Sequence, residues 1–143
     1  MKALSIRQPW ASLIITGKKT IEIRTWRPRR LELPQGIFIH AGKKFDGDIL
    51  REFGMTQDLP RGVILGEALM TDILKYDTRD KWLEDLDRHK NRPNRFQDGL
   101  YGFVLIDQTE YVKPIPWKGR LGFFDIDTTV LRPGNGDSVS NGC

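Results

Sequence analysis

The sequence predicts a mostly β, barrel-like domain with short flanking helices. Several segments alternate apolar and polar residues with a period of two, which is typical of half-buried strands. The helical segments between them are short, which favours a barrel-like sheet over a doubly wound α/β fold. The length of 143 residues fits one domain.

The first part of the chain contains two expected strands and one expected helix. Residues 2–7 form the first strand. An apolar helical repeat follows Pro9, which is tolerated in the first turn of a helix, and Gly17 ends that helix. Alternation then predicts a second strand over 20–26, and a loop rich in proline and arginine comes after it.

The middle of the chain contains two further expected strands. Residues 36–42 are short and mostly apolar, which indicates a buried strand. Residues 43–55 read as a loop with one or two helical turns. The longest expected strand covers 61–76, where Gly66 marks a bulge or a close approach of another backbone segment.

The last part of the chain begins with an expected helix over 78–89, for which Asp77 and Thr78 are candidate caps. A polar, basic loop follows it. Residues 100–112 form a clear strand, and the segment 114–127 supplies the last one.

Composition and charge narrow the class of protein. The chain is 38% hydrophobic and 29% charged, so it can form a core. No apolar run approaches the roughly 18 residues of a membrane span, and the start lacks a signal-peptide core. Cys143 is the single cysteine, which excludes an intrachain disulfide. We therefore expect a cytoplasmic monomer that contacts no membrane. The net charge of +4 suits an anionic partner, although this excess is modest.

The segment 17–24, GKKTIEIR, is the most informative part of the chain. Glu22 and Arg24 lie two residues apart on the expected strand, so they point the same way, and Lys19 lies at its entry. The alternating isoleucines would face the core, which places the charged residues on the exposed face. An acid and two bases gathered there can bind an anion or move a proton.

The pattern G-x-K-x-x-E-x-R resembles the hallmark of ASCH domains, relatives of the PUA RNA-binding domains, in their small stand-alone prokaryotic or phage form. The segments 4–14, 61–74 and 114–127 fit this resemblance too. It implies a PUA-like β-barrel over residues 1–130 with a basic cleft that suits RNA or a nucleotide. The remaining residues, 131–143, contain few apolar side chains and are expected to be a disordered tail.

The resemblance suggests roles for the motif residues. Arg24 would bind a phosphate or a carbonyl through its planar fork, and Glu22 would hold its basic neighbours in place. Lys19 is the candidate reactive group, with Glu22 as its acid–base partner. A simple surface ion pair between strand neighbours is the competing interpretation. Trp26 lies among arginines, an arrangement that suits stacking on a base.

Three residues elsewhere are further candidates for ligand binding. Lys43 follows a buried strand, Tyr101 offers a phenol or a stacking face, and Lys118 lies in a basic turn. Each is also compatible with core packing or a solvated loop. Glu67 or Asp72 could place a second carboxylate opposite Lys19, although a solvent-facing carboxylate is the simpler interpretation.

Neither a metal nor a cofactor is expected. The chain has only two histidines, and no HxH, HExxH or CxxC spacing is present. P-loop, GxGxxG and GxSxG patterns are also missing from the sequence.

Three functions remain open. The first is binding of RNA or a nucleotide in the basic cleft. The second is hydrolysis of RNA or of a modified nucleoside, as in ribonucleases or acetylcytidine amidohydrolases, with Lys19 and a carboxylate as the acid–base pair. The amidohydrolase-like members have a threonine nucleophile where this chain has Glu22, which weakens that route. The third is a protein-interaction module, because related domains occur in transcription coactivators.

Overall fold

A computed structural model describes residues 1–131 of the chain. The expected tail, 131–143, lies outside the described residues apart from Leu131, which ends a short 3-10 turn, Thr128–Leu131.

Six strands and four short helices make up the described chain, which confirms the mostly β fold. The strands form one sheet in the order β2-β5-β4-β3-β1-β6, and only the β1–β3 pair is parallel. The strands are β1 (Lys2–Gln8), β2 (Ile21–Arg24), β3 (Gln35–Phe45), β4 (Val63–Tyr76), β5 (Leu100–Pro116) and β6 (Phe123–Asp125); the helices are α1 (Trp10–Ile15), α2 (Gly47–Glu52), α3 (Arg79–Glu84) and α4 (Leu86–His89); a second 3-10 turn covers Pro93–Arg95.

Side chains bridge the two edges of the sheet. Within residues 1–131 the edge strands β2 and β6 share no backbone ladder, so hydrogen bonds do not close the barrel. Trp26, just after β2, instead packs edge-on against Phe123 of β6 with ring centroids 5.8 Å apart. Arg24 Nη2 also donates to the carbonyl oxygen of Ser5 in β1 at 3.0 Å. The sheet is therefore barrel-like, with an open seam between β2 on one side and β6 and the rest of β1 on the other.

The main core fills the inner side of this curved sheet. It combines aliphatic residues of β1, β3 and β4 with Phe103 and Leu105 of β5. Helix α1 packs across the sheet and contributes Ala11, Ile14 and Ile15 to the same core. A separate cluster of Tyr76, Trp82 and Leu100 packs α3 and α4 against the outer side.

Gly66 lies where the β4 ladder changes register, as the sequence predicts. The pairing of β4 with β5 shifts between Ile64 and Gly66. A Cβ atom at position 66 would lie 2.0 Å from the carbonyl oxygen of Thr109. Only glycine permits this approach of the neighbouring strand.

The expected single helix over 78–89 is wrong, because the chain forms two short helices that meet at Asp85. Thr78 caps the first through its hydroxyl, which accepts from the backbone N–H of Lys81, as predicted. The Asp85 carboxylate accepts from the Tyr76 hydroxyl at 2.7 Å. This contact with β4 holds the backbone at the break, and a local pattern cannot reveal it.

Strand lengths also differ from the expectation. β3 and β5 continue past their expected ends at residues 42 and 112, whereas β2 ends at Arg24 rather than at residue 26. The neighbouring strands explain this difference. β3 stays paired with β1 as far as Phe45, and the last residue of β5 that pairs with β2 is Tyr101.

Candidate functional site

A cavity of about 1160 Å³ lies at the open seam of the sheet. β6 pairs with only Lys2–Leu4 of β1, so the edge of β1 beyond Leu4 has no strand beside it. Ser5 and Arg7 on that free edge line one side of the cavity, and Glu22 and Arg24 of β2 line the other. The incomplete closure of the sheet therefore creates the cavity.

The motif side chains lie on the inner side of the curved sheet, so the expectation that they occupy an exposed face is wrong. Glu22 is directly opposite Phe103 in the ladder, so both side chains lie on the inner face. Lys19 and Glu22 are only 1% and 6% exposed. The outer face of β2 is covered as well, because Ile23 packs against the cluster under α3 and α4. Both faces of this strand are buried.

Lys19 is held from three sides. Its Nζ donates to the carbonyl oxygen of His89, the last residue of α4. The same atom lies 3.7 Å from Glu22 Oε1 and 4.5 Å from the ring centre of Trp10. Burial lowers the pKa of Lys19 from 10.5 to about 8, although the Glu22 carboxylate acts in the opposite direction. Burial thus favours the neutral form of Lys19 more than in an exposed lysine.

Glu22 lies between the two bases and orients Arg24. Arg24 Nε donates to Glu22 Oε2 at 3.1 Å, and Nη2 lies 3.0 Å from the same oxygen. Nη2 also makes the bond to Ser5 that crosses the seam. About 20% of the Arg24 side chain remains exposed, so a ligand in the cavity can still reach the guanidinium.

Three of the four tryptophans of the chain line the cavity: Trp10, Trp26 and Trp117. Trp26 is fixed by edge-on contacts with Phe103 and Phe123, at 5.5 and 5.8 Å between ring centroids. The Arg24 guanidinium lies 5.9 Å from its ring. The walls therefore combine rigid aromatic surfaces with nearby positive charge.

The cavity is strongly cationic. Its described lining contains seven basic side chains but only one acid, Glu22. Lys19 and Arg24 pair with Glu22, whereas the other five bases form no salt bridge within residues 1–131. These five bases, called the rim cations below, are Arg7, Lys43, Lys44, Lys118 and Arg120.

The ASCH domain model matches residues 4–115, which include the motif and most of the sheet. The chain belongs to the ASCH family.

Curated relatives are similar to the ASCH domain of this chain over most of its length. Activating signal cointegrator 1 of Homo sapiens is 25% identical over 139 residues, and that of Mus musculus is 26% identical over 140. Each match covers 89% of this chain but only 22% of the relative. The chain thus spans about a fifth of the length of the curated relatives it matches.

Solved ASCH structures from Zymomonas mobilis share the fold. A tyrosine-to-phenylalanine mutant of the ASCH protein from that organism aligns with a TM-score of 0.64 at 18% identity, over 88% of this chain and 89% of that one. The ASCH protein without this mutation aligns with a TM-score of 0.61, also at 18% identity, over 90% and 88% of the two chains.

The structure brings most of the sequence-predicted residues of this ASCH domain together. Lys19, Glu22, Arg24, Trp26, Lys43 and Lys118 all line the one cavity. Tyr101 does not line it. Tyr101 packs at the edge of the main core, with the Arg27 guanidinium 6.0 Å from its ring.

No second carboxylate lies opposite Lys19 among the described lining residues. Glu67 accepts a hydrogen bond from the Tyr111 hydroxyl at 2.8 Å, and Asp72 is exposed; neither lines the cavity. The simpler interpretation, a solvent-facing carboxylate, agrees with Asp72, whereas Glu67 is half-buried and bonded to Tyr111.

Sequence reasoning missed Ser5, Arg7 and Trp117, all of which line the cavity. Ser5 and Arg7 lie two apart on β1, so alternation places them on one face, but nothing local indicates that this strand has a free edge. Trp117 follows β5 and reaches the cavity only through the fold.

Across residues 1–131, no group of three or more histidine, cysteine or acidic residues is arranged to hold a metal ion. No helix in that same stretch combines the length and hydrophobicity needed to cross a bilayer.

Proposed function

We propose that this ASCH domain binds single-stranded RNA, or a nucleotide that ends such a strand, in the cavity at the seam. One observation carries the proposal: the described lining contains seven basic side chains, three indoles and a single acid. Phosphates need cations that are free of other partners, and bases need flat aromatic surfaces. The rim cations and the tryptophan walls supply both within one cavity.

The size of the cavity favours an RNA segment over a free nucleoside. Pockets for small ligands measure roughly 300–1000 Å³, and this cavity of about 1160 Å³ is larger. The cavity is also partly open at the seam, so a chain can enter and leave. Duplex RNA is a poorer fit, because its bases are stacked away from side chains that would bind them.

Arg24 and Trp26 would form the base-binding part of the site. Glu22 holds the Arg24 guanidinium beside the Trp26 ring, where one can contact a carbonyl or phosphate and the other a base. Lys43 and Lys118 would then contact phosphates on either side, together with the other rim cations.

Salt dependence tests this proposal directly. Binding of a short single-stranded RNA should quench the fluorescence of the cavity tryptophans and weaken as salt increases. Three to five phosphate contacts give a log–log slope of about −2 to −4. A duplex of the same sequence is the control and should bind more weakly. An RNA affinity that does not change with salt concentration, or no binding at low salt, would contradict the proposal.

The reduced pKa of Lys19 favours a second candidate function, hydrolysis of a bond in a bound nucleic acid or nucleoside. A neutral lysine beside Glu22 can accept a proton from water or a hydroxyl. Lys19→Arg tests this, because arginine keeps the charge but does not release its proton. A catalytic Lys19 predicts rates orders of magnitude lower with affinity kept, whereas full turnover in the variant excludes lysine as the base.

A further inference from the structure

Ser5 and His40 form a hydrogen-bonded pair at the free edge of β1. They are ladder partners in β1 and β3, so their side chains share a face, and Ser5 Oγ lies 2.9 Å from His40 Nδ1. The other ring nitrogen, Nε2, lies 2.7 Å from the carbonyl oxygen of Trp117. A carbonyl oxygen only accepts, so Nε2 carries the proton of the neutral ring. The Ser5 hydroxyl therefore donates to Nδ1.

This direction of hydrogen bonding is the one that nucleophilic catalysis requires. A hydroxyl faces a neutral imidazole nitrogen, and a third group fixes the tautomer of the ring from its other side. His40 is only 1% exposed, and burial lowers its pKa, which keeps the ring neutral. Ser5 is half-buried and lines the cavity, so the base is more deeply buried than the residue whose hydroxyl faces it.

Two glycines pack closely around the Ser5–His40 pair. A Cβ atom at Gly119 would lie 2.9 Å from Ser5 Oγ and 2.6 Å from His40 Cε1, and one at Gly42 would lie 3.2 Å from Ser5 Oγ. Bare backbone therefore approaches the hydroxyl from two sides. Within residues 1–131 the Gly119 N–H donates no hydrogen bond, and in the reaction proposed below it is the donor to the developing oxyanion.

We propose that Ser5 is a nucleophile for acyl transfer, with His40 as its general base and the Trp117 carbonyl as the group that orients the ring. The substrate class is a carboxylic ester with an aromatic or anionic group, which the tryptophan walls and rim cations can hold. The reaction uses neither Lys19 nor Glu22, and it does not depend on RNA binding.

The reaction has two stages. Ser5 Oγ attacks the ester carbonyl carbon while its proton moves to His40 Nδ1. The carbon–oxygen bond to the alcohol then breaks, and the alcohol leaves with that proton. Water attacks the acyl-serine and passes one proton to Nδ1, the acid departs, and Ser5 regains its hydrogen. No oxidant, reductant or metal takes part.

An alkyl fluorophosphonate tests the nucleophile. Ser5 Oγ should form a bond to phosphorus as the phosphorus–fluorine bond breaks, releasing fluoride and leaving the proton on His40. Mass spectrometry of the intact chain and its peptides should show one adduct, on Ser5. Ser5→Ala should lose it. Ser12→Ala is the matched control and should keep it, because the Ser12 hydroxyl bonds the Gln8 side chain within the fold.

His40→Gln tests the base without removing the anchor. The glutamine amide can still donate to the Trp117 carbonyl, but it has no basic nitrogen that could take the Ser5 proton. Labelling of Ser5 should slow by about 100-fold or more while the melting temperature stays close to that of Ser5→Ala. A missing Ser5 adduct in the wild type, or unchanged labelling in His40→Gln, would mean that the pair only anchors the segment at Trp117. RNA affinity is measured on the same variants, so that failure of the acyl-transfer proposal and failure of the RNA-binding proposal can be distinguished.

Discussion

Two regions of the molecule use the same ion-pair spacing with opposite physical results. In the motif, Lys19 and Glu22 pair at i,i+3 with side chains that are 1% and 8% exposed. Asp87 of α4 and Lys90, which directly follows that helix, pair at the same spacing, but the Asp87 side chain is 97% exposed. The sequence spacing is identical, so the difference comes from burial.

The pKa shifts show what burial changes. The nearby Lys90 lowers the pKa of Asp87, which is the usual effect of an opposite charge in water. Lys19 also has an opposite charge beside it, yet its pKa falls, because the cost of desolvating the ammonium exceeds the attraction of Glu22. A buried pair therefore depends on all of its partners, whereas an exposed pair contributes little.

Removing the shared acid should have the largest effect. Glu22→Gln removes the acid that pairs with both Lys19 and Arg24, so two largely buried bases lose their common partner. We expect the free energy of unfolding to fall by about 3 to 5 kcal/mol, measured by urea denaturation at pH 7. Asp87→Asn is the control on α4 and should leave the urea midpoint unchanged. Equal effects of the two substitutions would show that the motif is as solvated as the helix surface.

The pH dependence of stability should separate Lys19 from every exposed lysine. Its folded pKa of about 8 lies below the unfolded value of 10.5, so the unfolded chain binds more protons between these two values. Stability therefore rises with pH across this window, by up to about 3 kcal/mol. The measurement is the unfolding free energy of the wild type minus that of Lys19→Met from pH 7 to 10.5. A flat or falling difference would contradict the low pKa.

Replacing the planar guanidinium of Arg24 should have an intermediate effect on stability. Arg24→Lys keeps the charge but cannot bond Glu22 and the Ser5 carbonyl together as the guanidinium does. We expect a loss of about 1.5 to 3 kcal/mol, the usual range for a hydrogen bond to a charged group. Arg88→Lys, on the exposed face of α4, should not change the melting temperature. Tolerance of lysine at position 24 would mean that the seam does not need the fork.

The smallest expected effect concerns the rim cations. Lys118→Ala should lower RNA affinity and reduce the slope of the salt dependence by about 1, because one phosphate contact is lost. Lys81→Ala is the control, since Lys81 pairs with Asp77 away from the cavity. Both variants should keep wild-type stability. An unchanged slope in Lys118→Ala would remove this residue from the binding surface.

Local features of the fold could be predicted from the sequence. The first strand, the short helix before Gly17 and the Thr78 cap follow patterns of residues close together in the chain, and the lone Gly66 within a strand pattern marks the irregularity of β4. The break at Asp85 could not, because it depends on the hydroxyl of Tyr76 in β4. Motif spacing predicted that Lys19, Glu22 and Arg24 lie close together. It did not predict that their side chains face the inner side of the sheet.

Contacts between distant parts of the chain around the cavity were beyond any local pattern. Ser5 and His40 are 35 residues apart, and His40 and Trp117 are 77 apart. Their meeting depends on the parallel pairing of β1 with β3 and on the short β6, which leaves the edge of β1 free. Arg7 and Trp117 join the cavity for the same reason.

The sequence by itself determined the mostly β fold and the grouping of the charged motif, because periodicity and short-range spacing encode these features, and the resemblance of the motif to ASCH domains indicated the family. Only the tertiary structure decided that the motif charges are buried and that an open seam collects the rim cations and three tryptophans. Alternation shows that two faces of a strand differ, but the number of layers packed on each face decides which of them reaches water. In β2 both faces are covered, so a pattern typical of a surface strand instead forms the wall of an internal site.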